Sequence, residues 1–474
     1  MIFNRLRAVM ATVAAVAGMT VMAAPADTLT LSLDTCIAIA LSDNPTIRVA
    51  DMEIQRMDYS KKEVIGQLLP TVNFGGTYNR TLAKQTMYMN VSRAGAGAGD
   101  DAGDETPATG GRQGIKVGLD NSYSVGFSAS VPLIAPQLWK SLKLSDAQIL
   151  QSVEAARRSR IETVNQVKNA YYALLLAADS YRTIQESMDM AKFTADLYEK
   201  QYRLGAASEY DVLRTQVAVK NVEPELTQAQ IAIRQAALQL TILMGLDASV
   251  TVRANTSLAA YERDMYDDVM QLTAKSENID NNAELRLLDI QGEQLRRQMD
   301  VQKMAFMPTL ALQTNYNWTS MSNGTPFKHF MWTPYSTIGL TLQVPLFEGL
   351  QRVRRVQQTR VQRQELELQR TNLVRSINMQ TELALDNIQL NIKQINSCAE
   401  SMRQAEKAHD IQQKSFEIGA TTYLNLRDSE LALTQSRLAY YQSIYNYLVA
   451  HSDLELLLGN APLEKYGYNS LQKR

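Results

Sequence analysis

Side chains that perform catalysis or bind metals are few and scattered in this sequence. Its three histidines are His329, His409 and His451, and its two cysteines are Cys36 and Cys398. These five residues do not form a cluster with the spacing of a metal or redox site. Neither a glycine-rich phosphate-binding loop nor a nucleophile elbow occurs. We therefore expect no enzyme, no cofactor and no metal, and both cysteines should behave as small buried hydrophobes.

The chain repeats its own landmarks, which indicates an internal duplication. Later landmarks share an offset of roughly 214 residues and earlier ones an offset of about 238, so one length difference separates the halves. The matched segments are 202–206 (YRLGA) with 416–420 (FEIGA), 131–133 (VPL) with 344–346 (VPL), and 69–71 (LPT) with 307–309 (MPT). We expect a first repeat over 27–246, a linker module over 247–281, a second repeat over 282–459 and a tail over 460–474.

The beginning of the chain has the pattern of a secretory signal peptide, predicted over residues 1–26. Arg5 and Arg7 precede an uncharged, mostly apolar run, and small residues follow at Ala23, Ala24 and Ala26. The alternative is a membrane anchor, but the run is shorter than the ~20 residues that a spanning helix needs. No later run has spanning length, so we expect no transmembrane helix. The formal net charge of −1 gives no electrostatic argument for a nucleic-acid partner.

Each repeat contains two segments in which apolar and small polar residues alternate, as in β-strands. The predicted strands cover 71–82 and 121–132 in the first repeat, and 309–319 and 336–346 in the second. The region 83–120 is predicted to be a long flexible loop, because its centre is rich in glycine, alanine and aspartate. Strands of about ten residues suit a transmembrane β-barrel, and Tyr123, Tyr316 and Trp318 suit an interfacial aromatic girdle.

Each repeat ends in a long helical hairpin, predicted over 137–244 and 350–458. Apolar residues recur at steps of three and four, and the first helix would be on the order of 100 Å long. Gly205 and Gly419 should end the outgoing helices, with Ser208 and Thr422 capping the return helices. Pro224 should bend the first return helix.

Four strands with one apolar face cannot stand alone in a membrane, because open sheet edges leave backbone groups unpaired. A barrel with a polar interior needs at least about eight strands, so several chains should share one barrel. The alternative is a soluble sandwich of two hairpins flanked by coiled coils. It explains neither the signal peptide nor helices far longer than a soluble sheet could cover.

These features together resemble the TolC-like outer-membrane efflux proteins, over roughly residues 29–459. Three kinds of motif carry the resemblance: an opening pattern, a strand-to-helix signature and a pair of hairpin turns. They are 31–33 (LSL), 40–41 (AL), 44–45 (NP), 344–349 (VPLFEG), Arg203-Leu204-Gly205-Ala206 and Glu417-Ile418-Gly419-Ala420.

The resemblance implies an α+β membrane protein that forms a homotrimer. Three chains would give a 12-stranded outer-membrane β-barrel and a periplasmic α-helical barrel. The two hairpin turns would dock on a periplasmic membrane-fusion adaptor protein, driven by an inner-membrane pump. The implied function is the exit duct of a tripartite efflux system for small molecules. A conduit for a type I protein secretion system is the alternative, and a trimeric coiled-coil surface adhesin is a remote one.

The resemblance also implies a constriction at the periplasmic end of the tunnel. Asp211, Asn425 and Asp428 fall on positions that family members use for closing contacts or an acidic ring. Asn425 is not acidic, so Asp428 alone would supply the ring. The functional hypothesis is that three copies of Asp428 crowd together and favour cations. The alternative is that Asp211 and Asp428 are solvated acids at helix starts, stabilised by the helix dipole.

Overall fold

The structure is a computed structural model and describes residues 28–89, 113–262, 279–328 and 330–460. The predicted signal peptide, His329 and the tail after residue 460 lie outside the described residues. Within these ranges the chain divides into two compact units, one of which combines 58–147 with 294–363. We call this the sheet unit and the remainder the helical unit.

The elements follow the duplicated plan. In chain order they are β1 (Thr28–Leu31), α1 (Leu33–Asp43), α2 (Pro45–Gly66), β2 (Thr71–Arg80), β3 (Gln85–Met89), β4 (Gln113–Val117), β5 (Asn121–Ile134), α3 (Pro136–Arg203), α4 (Glu209–Leu243), β6 (Thr251–Ala254), a 3₁₀ helix (Leu258–Tyr261), α5 (Ala283–Met304), β7 (Thr309–Ser322), β8 (Thr333–Gln343), α6 (Gln351–Glu417) and α7 (Tyr423–Leu458).

The sheet unit contains a four-stranded antiparallel sheet in the order β2-β5-β7-β8. Its register aligns Phe74 with Phe127, Phe127 with Tyr316, and Leu312 with Leu340. Because side chains alternate along a strand, aligned residues share a face. One face therefore carries apolar and aromatic residues across all four strands, and we call it the apolar face. The opposite face carries serine, threonine, asparagine, glutamine and glycine, and we call it the polar face.

The four strands lie where the alternation predicts them, with shifted ends. Strand β2 stops at Arg80, β5 and β7 run two and three residues past their predicted ends, and β8 covers 333–343 instead of 336–346. Pro334 is the second residue of β8, so the N–H that proline lacks is missing only near the beginning of the strand.

The prediction that 83–120 is a single loop was wrong. Strands β3 and β4 pair antiparallel within it, with Met87 opposite Ile115. The loop prediction extended the composition of the glycine-rich centre over flanks that can form strands. Residues 90–112 lie outside the described part of the chain.

The helical unit is built around one hydrophobic core, to which helices of both repeats contribute. Tyr171, Leu240 and Tyr447 are among its fully buried members. Strands β1 and β6 pair in parallel beside it, so part of the predicted linker module forms a small sheet with residues 28–31. The Tyr171 hydroxyl lies 3.3 Å from the carbonyl oxygen of Leu31 and 3.2 Å from Oδ1 of Asn255.

Two buried asparagines hold the return helices at equivalent places in the two repeats. Asn44 Nδ2 donates to the carbonyl of Leu243 at 2.7 Å, and Asn282 Nδ2 donates to that of Leu457 at 2.8 Å. Each side-chain oxygen also accepts a backbone N–H at the start of the next helix, from Thr46 at 2.7 Å and from Leu285 at 3.0 Å. One amide thus satisfies the end of one helix and the beginning of another.

The prediction that both cysteines are buried is confirmed for Cys36 only. Cys36 is fully buried, and burial raises the pKa of its thiol to about 11, whereas Cys398 is half-buried; both thiols are free. Helix α4 continues through Pro224 as a single element. In the part of the chain that the structure describes, none of the helices combines the length and the hydropathy of a membrane-spanning segment.

Candidate functional site

The two hairpin turns have the same backbone structure. At the first turn the N–H of Gly205 donates to the carbonyl oxygen of Tyr202 at 2.9 Å, and the N–H of Ala206 donates to that of Gln201 at 2.8 Å. At the second turn the N–H of Gly419 donates to the carbonyl oxygen of Phe416 at 3.0 Å, and the N–H of Ala420 donates to that of Ser415 at 2.8 Å. This paired pattern is the Schellman motif, and it needs a left-handed residue. Glycine meets that need without steric cost, and φ is 74° at Gly205 and 73° at Gly419.

The return helices start from similar caps but differ in their side-chain contacts. Ser208 and Asp211 form a capping box, in which each side chain accepts the other residue's backbone N–H at 3.2–3.3 Å. At the other turn Thr422 accepts the N–H of Asn425, and Asn425 Nδ2 donates to Thr421 Oγ1 at 3.1 Å. Asp211 and Asn425 therefore both take part in helix-start contacts. Asp428 is exposed one turn further along α7.

Aromatic contacts join the two hairpin ends within one chain. The ring centroid of Tyr198 on α3 lies 6.3 Å from that of Phe416 and 5.6 Å from that of Tyr423. The guanidinium carbon of Arg214 on α4 lies 5.5 Å from the centroid of Tyr423, within cation–π range. Burial raises the pKa of Tyr198, as does the nearby carboxylate of Asp211, and burial likewise raises the pKa of Tyr423. Both phenols therefore stay neutral at physiological pH.

A groove of about 780 Å³ lies beside these aromatic residues, between α3 and the α6–α7 hairpin. Two buried titratable groups line it, His409 and Glu430. Burial lowers the pKa of His409, whose Nδ1 lies 3.4 Å from Ser429 Oγ. Burial raises the pKa of Glu430, and Arg427 at 3.7 Å opposes that shift. Both groups are thus disfavoured in their charged forms.

A charged group lies next to the groove and connects three helices. Arg437 on α7 pairs with Glu186 on α3 at 2.7 Å and with Glu406 on α6 at 3.0 Å. Because an arginine presents several donors in a fixed plane, one side chain can fix the positions of two partners. Together with Tyr198 and Tyr423, this arginine ties the first hairpin to the second.

The structure places the predicted turn residues at the ends of two hairpins, and these ends are joined by contacts that the sequence did not indicate. Tyr198, Arg214, His409, Glu430 and Arg437 were all missed. Arg214 had a usable signal, since it lies nine positions after Gly205, as Asp428 lies nine after Gly419. Equivalent positions in the two repeats therefore carry opposite charges. Among the described residues, no group of three or more histidine, cysteine, aspartate or glutamate side chains is arranged to hold a metal ion.

A sheet with one apolar and one polar face, joined in the same chain to two long helical hairpins, defines a class of outer-membrane channel. A family model described as outer membrane efflux protein matches residues 36–246 and 275–460, and the chain belongs to this family. It is accordingly an efflux protein of the outer membrane.

Relatives and solved structures agree with this assignment. The pyoverdine export outer membrane protein OpmQ of Pseudomonas aeruginosa is 22% identical over 436 residues, covering 90% of this chain and 85% of the relative. The Campylobacter jejuni CmeC outer membrane channel has a TM-score of 0.65 at 15% identity, over 90% of this chain and 85% of that chain. The outer membrane protein VceC from Vibrio cholerae has a TM-score of 0.64 at 16% identity, over 90% and 96%. These likenesses establish the fold.

Proposed function

We propose that three copies of this chain close one β-barrel, whose polar face lines a passive exit duct for small molecules. The observation that carries the proposal is the register, which collects apolar side chains on one face of the sheet. Among the described residues, the edge strands β2 and β8 each have one unpaired side. Lipid excludes open edges. Two copies would give eight strands, whose interior side chains fill. Three copies are the smallest number that leaves an open lumen.

The strand order supports closure between copies. All neighbouring strands in the sheet are antiparallel. With four strands per chain, β8 of one copy runs antiparallel to β2 of the next, so the same pairing type continues around a ring. Native mass spectrometry of the detergent-solubilised protein tests the proposal. We expect the mass of three chains, and a mass of one or two chains would contradict it.

The hairpin turns are proposed as the docking site for a periplasmic adaptor that connects the channel to an inner-membrane pump. The turn residues are exposed, and equivalent aliphatic side chains stand out at each turn: Leu204 is 84% exposed and Ile418 81%. Exposed aliphatic side chains on a rigid turn suit a partner that buries them. The proposed docking residues are Arg203, Leu204, Gly205, Ala206, Glu417, Ile418, Gly419 and Ala420.

Photocrosslinking in intact cells tests this docking site. A photoreactive amino acid at Leu204 or Ile418 should capture a periplasmic adaptor, because both side chains would lie in the contact. The same amino acid at Tyr59, an exposed position on α2, serves as the control. Equal capture at all three positions, or no adaptor at either turn, would contradict the docking proposal.

Asp428 is proposed to form an acidic constriction where three copies approach one another. Asp428→Ser should lower the preference of the reconstituted channel for cations, because it removes a negative charge from each chain. Asp410→Ser, an exposed position on α6, is the matched control and should leave selectivity unchanged. Unchanged cation preference in Asp428→Ser would assign this residue to the solvated helix start.

A further inference from the structure

The connection between β7 and β8 folds back over the apolar face of the sheet. The ring centroid of Phe327 lies 5.2 Å from that of Tyr78 and 5.6 Å from that of Tyr123, and Phe330 lies 4.9 Å from Tyr123. The register places Tyr78 opposite Tyr123, on the face that also holds Phe74 and Phe127. The connection therefore covers the end of the apolar face. We call residues 323–328 and 330–332 the aromatic loop.

The aromatic loop buries a residue that the sequence assigned to the lipid boundary. Tyr123 was predicted to belong to an interfacial girdle, but only 5% of it is exposed. That prediction was wrong, because Phe327 and Phe330 cover its ring. Tyr316 remains exposed and packs edge-to-face on Trp318, at 4.7 Å between centroids.

Hydrogen bonds to the sheet hold the loop in this position. Phe327 N–H donates to Tyr123 Oη at 2.7 Å, and Met331 N–H donates to Ser320 Oγ at 3.0 Å. Gly324 N–H donates to Asp120 Oδ2 at 3.1 Å. Phe327 has a φ of 62°, which is unusual for a bulky residue and persists only where the surroundings determine it. Three backbone N–H groups of the loop are thus fixed by side chains of β5, β7 and the residue before β5.

The side of the loop that faces away from the sheet is itself apolar. Phe327, Phe330, Met331 and Trp332 are exposed, Met331 by 82%, and the Phe330 and Trp332 rings are stacked at 5.6 Å. Contiguous exposed aromatic surface is costly in water and marks an interaction site. It continues the apolar face, which the outer membrane covers in a channel of this family, so the adjoining partner is lipid.

We propose that the aromatic loop is a membrane anchor that inserts in the headgroup region of the lipid around the barrel. The inference rests on the proposed barrel, because only there does the apolar face meet lipid. Tryptophan favours this layer, because its ring is apolar and its indole N–H can donate a hydrogen bond at the level of the headgroups, and Trp332 is the tryptophan of this loop. The loop residues, and not the buried Tyr123, then contact lipid at the interface. They lie on the outer side of the proposed barrel.

Tryptophan fluorescence in lipid vesicles tests the anchor. The chain has three tryptophans, Trp139, Trp318 and Trp332. Replacing two of them with phenylalanine gives full-length proteins with Trp332 alone or Trp318 alone. A third protein, with all three replaced and Phe193→Trp added, reports an exposed position on α3. Each is reconstituted in phosphatidylcholine brominated near the headgroup or deep in the acyl chains.

We expect bromine near the headgroup to quench Trp332 at least half as strongly as bromine in the lipid quenches Trp318. The same headgroup bromine should quench Trp332 far more than it quenches the tryptophan of the Phe193→Trp protein. Trp332 quenching no greater than that of the Phe193→Trp protein, with Trp318 quenched, would overturn the anchor and leave the barrel intact. If neither Trp318 nor Trp332 is quenched, both the anchor and the proposed barrel are wrong.

Discussion

Asn44 and Asn282 show how single side chains fix the ends of long helices in this protein. Each is buried, and each satisfies one carbonyl and one N–H that helix geometry leaves unpaired. Asparagine suits the position because its amide offers a donor and an acceptor on one short side chain. The repetition of the contact shows that the duplication preserved hydrogen bonds as well as the order of elements.

Asn282→Ala should destabilise the helical unit by about 2 kcal/mol, since it removes a helix cap and leaves the partly buried carbonyl of Leu457 without its side-chain donor. The change is measured as a lower thermal midpoint of the detergent-solubilised protein. Asn44→Ala should have an effect of the same size. Asn221→Ala, an exposed position on α4, is the control and should not lower the midpoint. Equal midpoints for Asn282→Ala and the control would show that the buried contact contributes nothing.

At the scale of elements, the two hairpins have turns of the same structure but differ in the residues buried near those turns. The α6–α7 hairpin encloses His409, which has acidic neighbours on all three helices around it and one basic neighbour on α7. These neighbours are Glu186 and Asp189 on α3, Glu406 and Asp410 on α6, and Glu430 and Arg437 on α7. The buried imidazole is neutral at physiological pH, because burial lowers its pKa below the ordinary value of 6.5.

Acidification should loosen the end of the α6–α7 hairpin through His409. Because its folded pKa is depressed, the unfolded state binds more protons as pH falls below 6.5, and stability is lost toward the folded pKa. Glu430 acts in the opposite direction, since proton uptake relieves its buried charge. Hydrogen exchange of the hairpin-end amides should therefore rise from pH 7.5 to 5.5, after correction for intrinsic rates, and His409→Gln should reduce the rise.

His451→Gln is the control for this measurement, because His451 lies near the far end of α7. It should retain the acid-induced rise at the hairpin end. If His409→Gln also retains the full rise, another group is responsible for the acid response.

The sequence predicted those elements that a local pattern specifies. Alternation located four strands because one face of each is apolar, and Gly205 and Gly419 located both turns because the Schellman motif needs a left-handed residue. Contacts between the hairpins could not be predicted, since Tyr198 and Phe416 are distant in sequence and neither residue type implies the other. The burial of Tyr123 was missed for the same reason, because a loop from the other repeat covers it.

At the scale of the whole molecule, the two repeats supply the same series of elements but not the same surfaces. The first repeat adds the β3–β4 pair, and the second adds the aromatic loop. At the hairpin ends, Arg214 of the first repeat contacts the ring of Tyr423. The equivalent residue of the second repeat, Asp428, is exposed. A ring of such chains therefore alternates between two kinds of hairpin, and a partner that contacts one kind of hairpin has one site per chain.

The unpaired sides of β2 and β8 also bear on how the protein is made. A lone chain in the aqueous periplasm presents two strand edges beside an exposed apolar face, and that combination promotes aggregation. Edge pairing between copies and transfer of the apolar face into lipid each remove part of the hazard. In the proposed barrel, assembly therefore competes kinetically with aggregation of single chains.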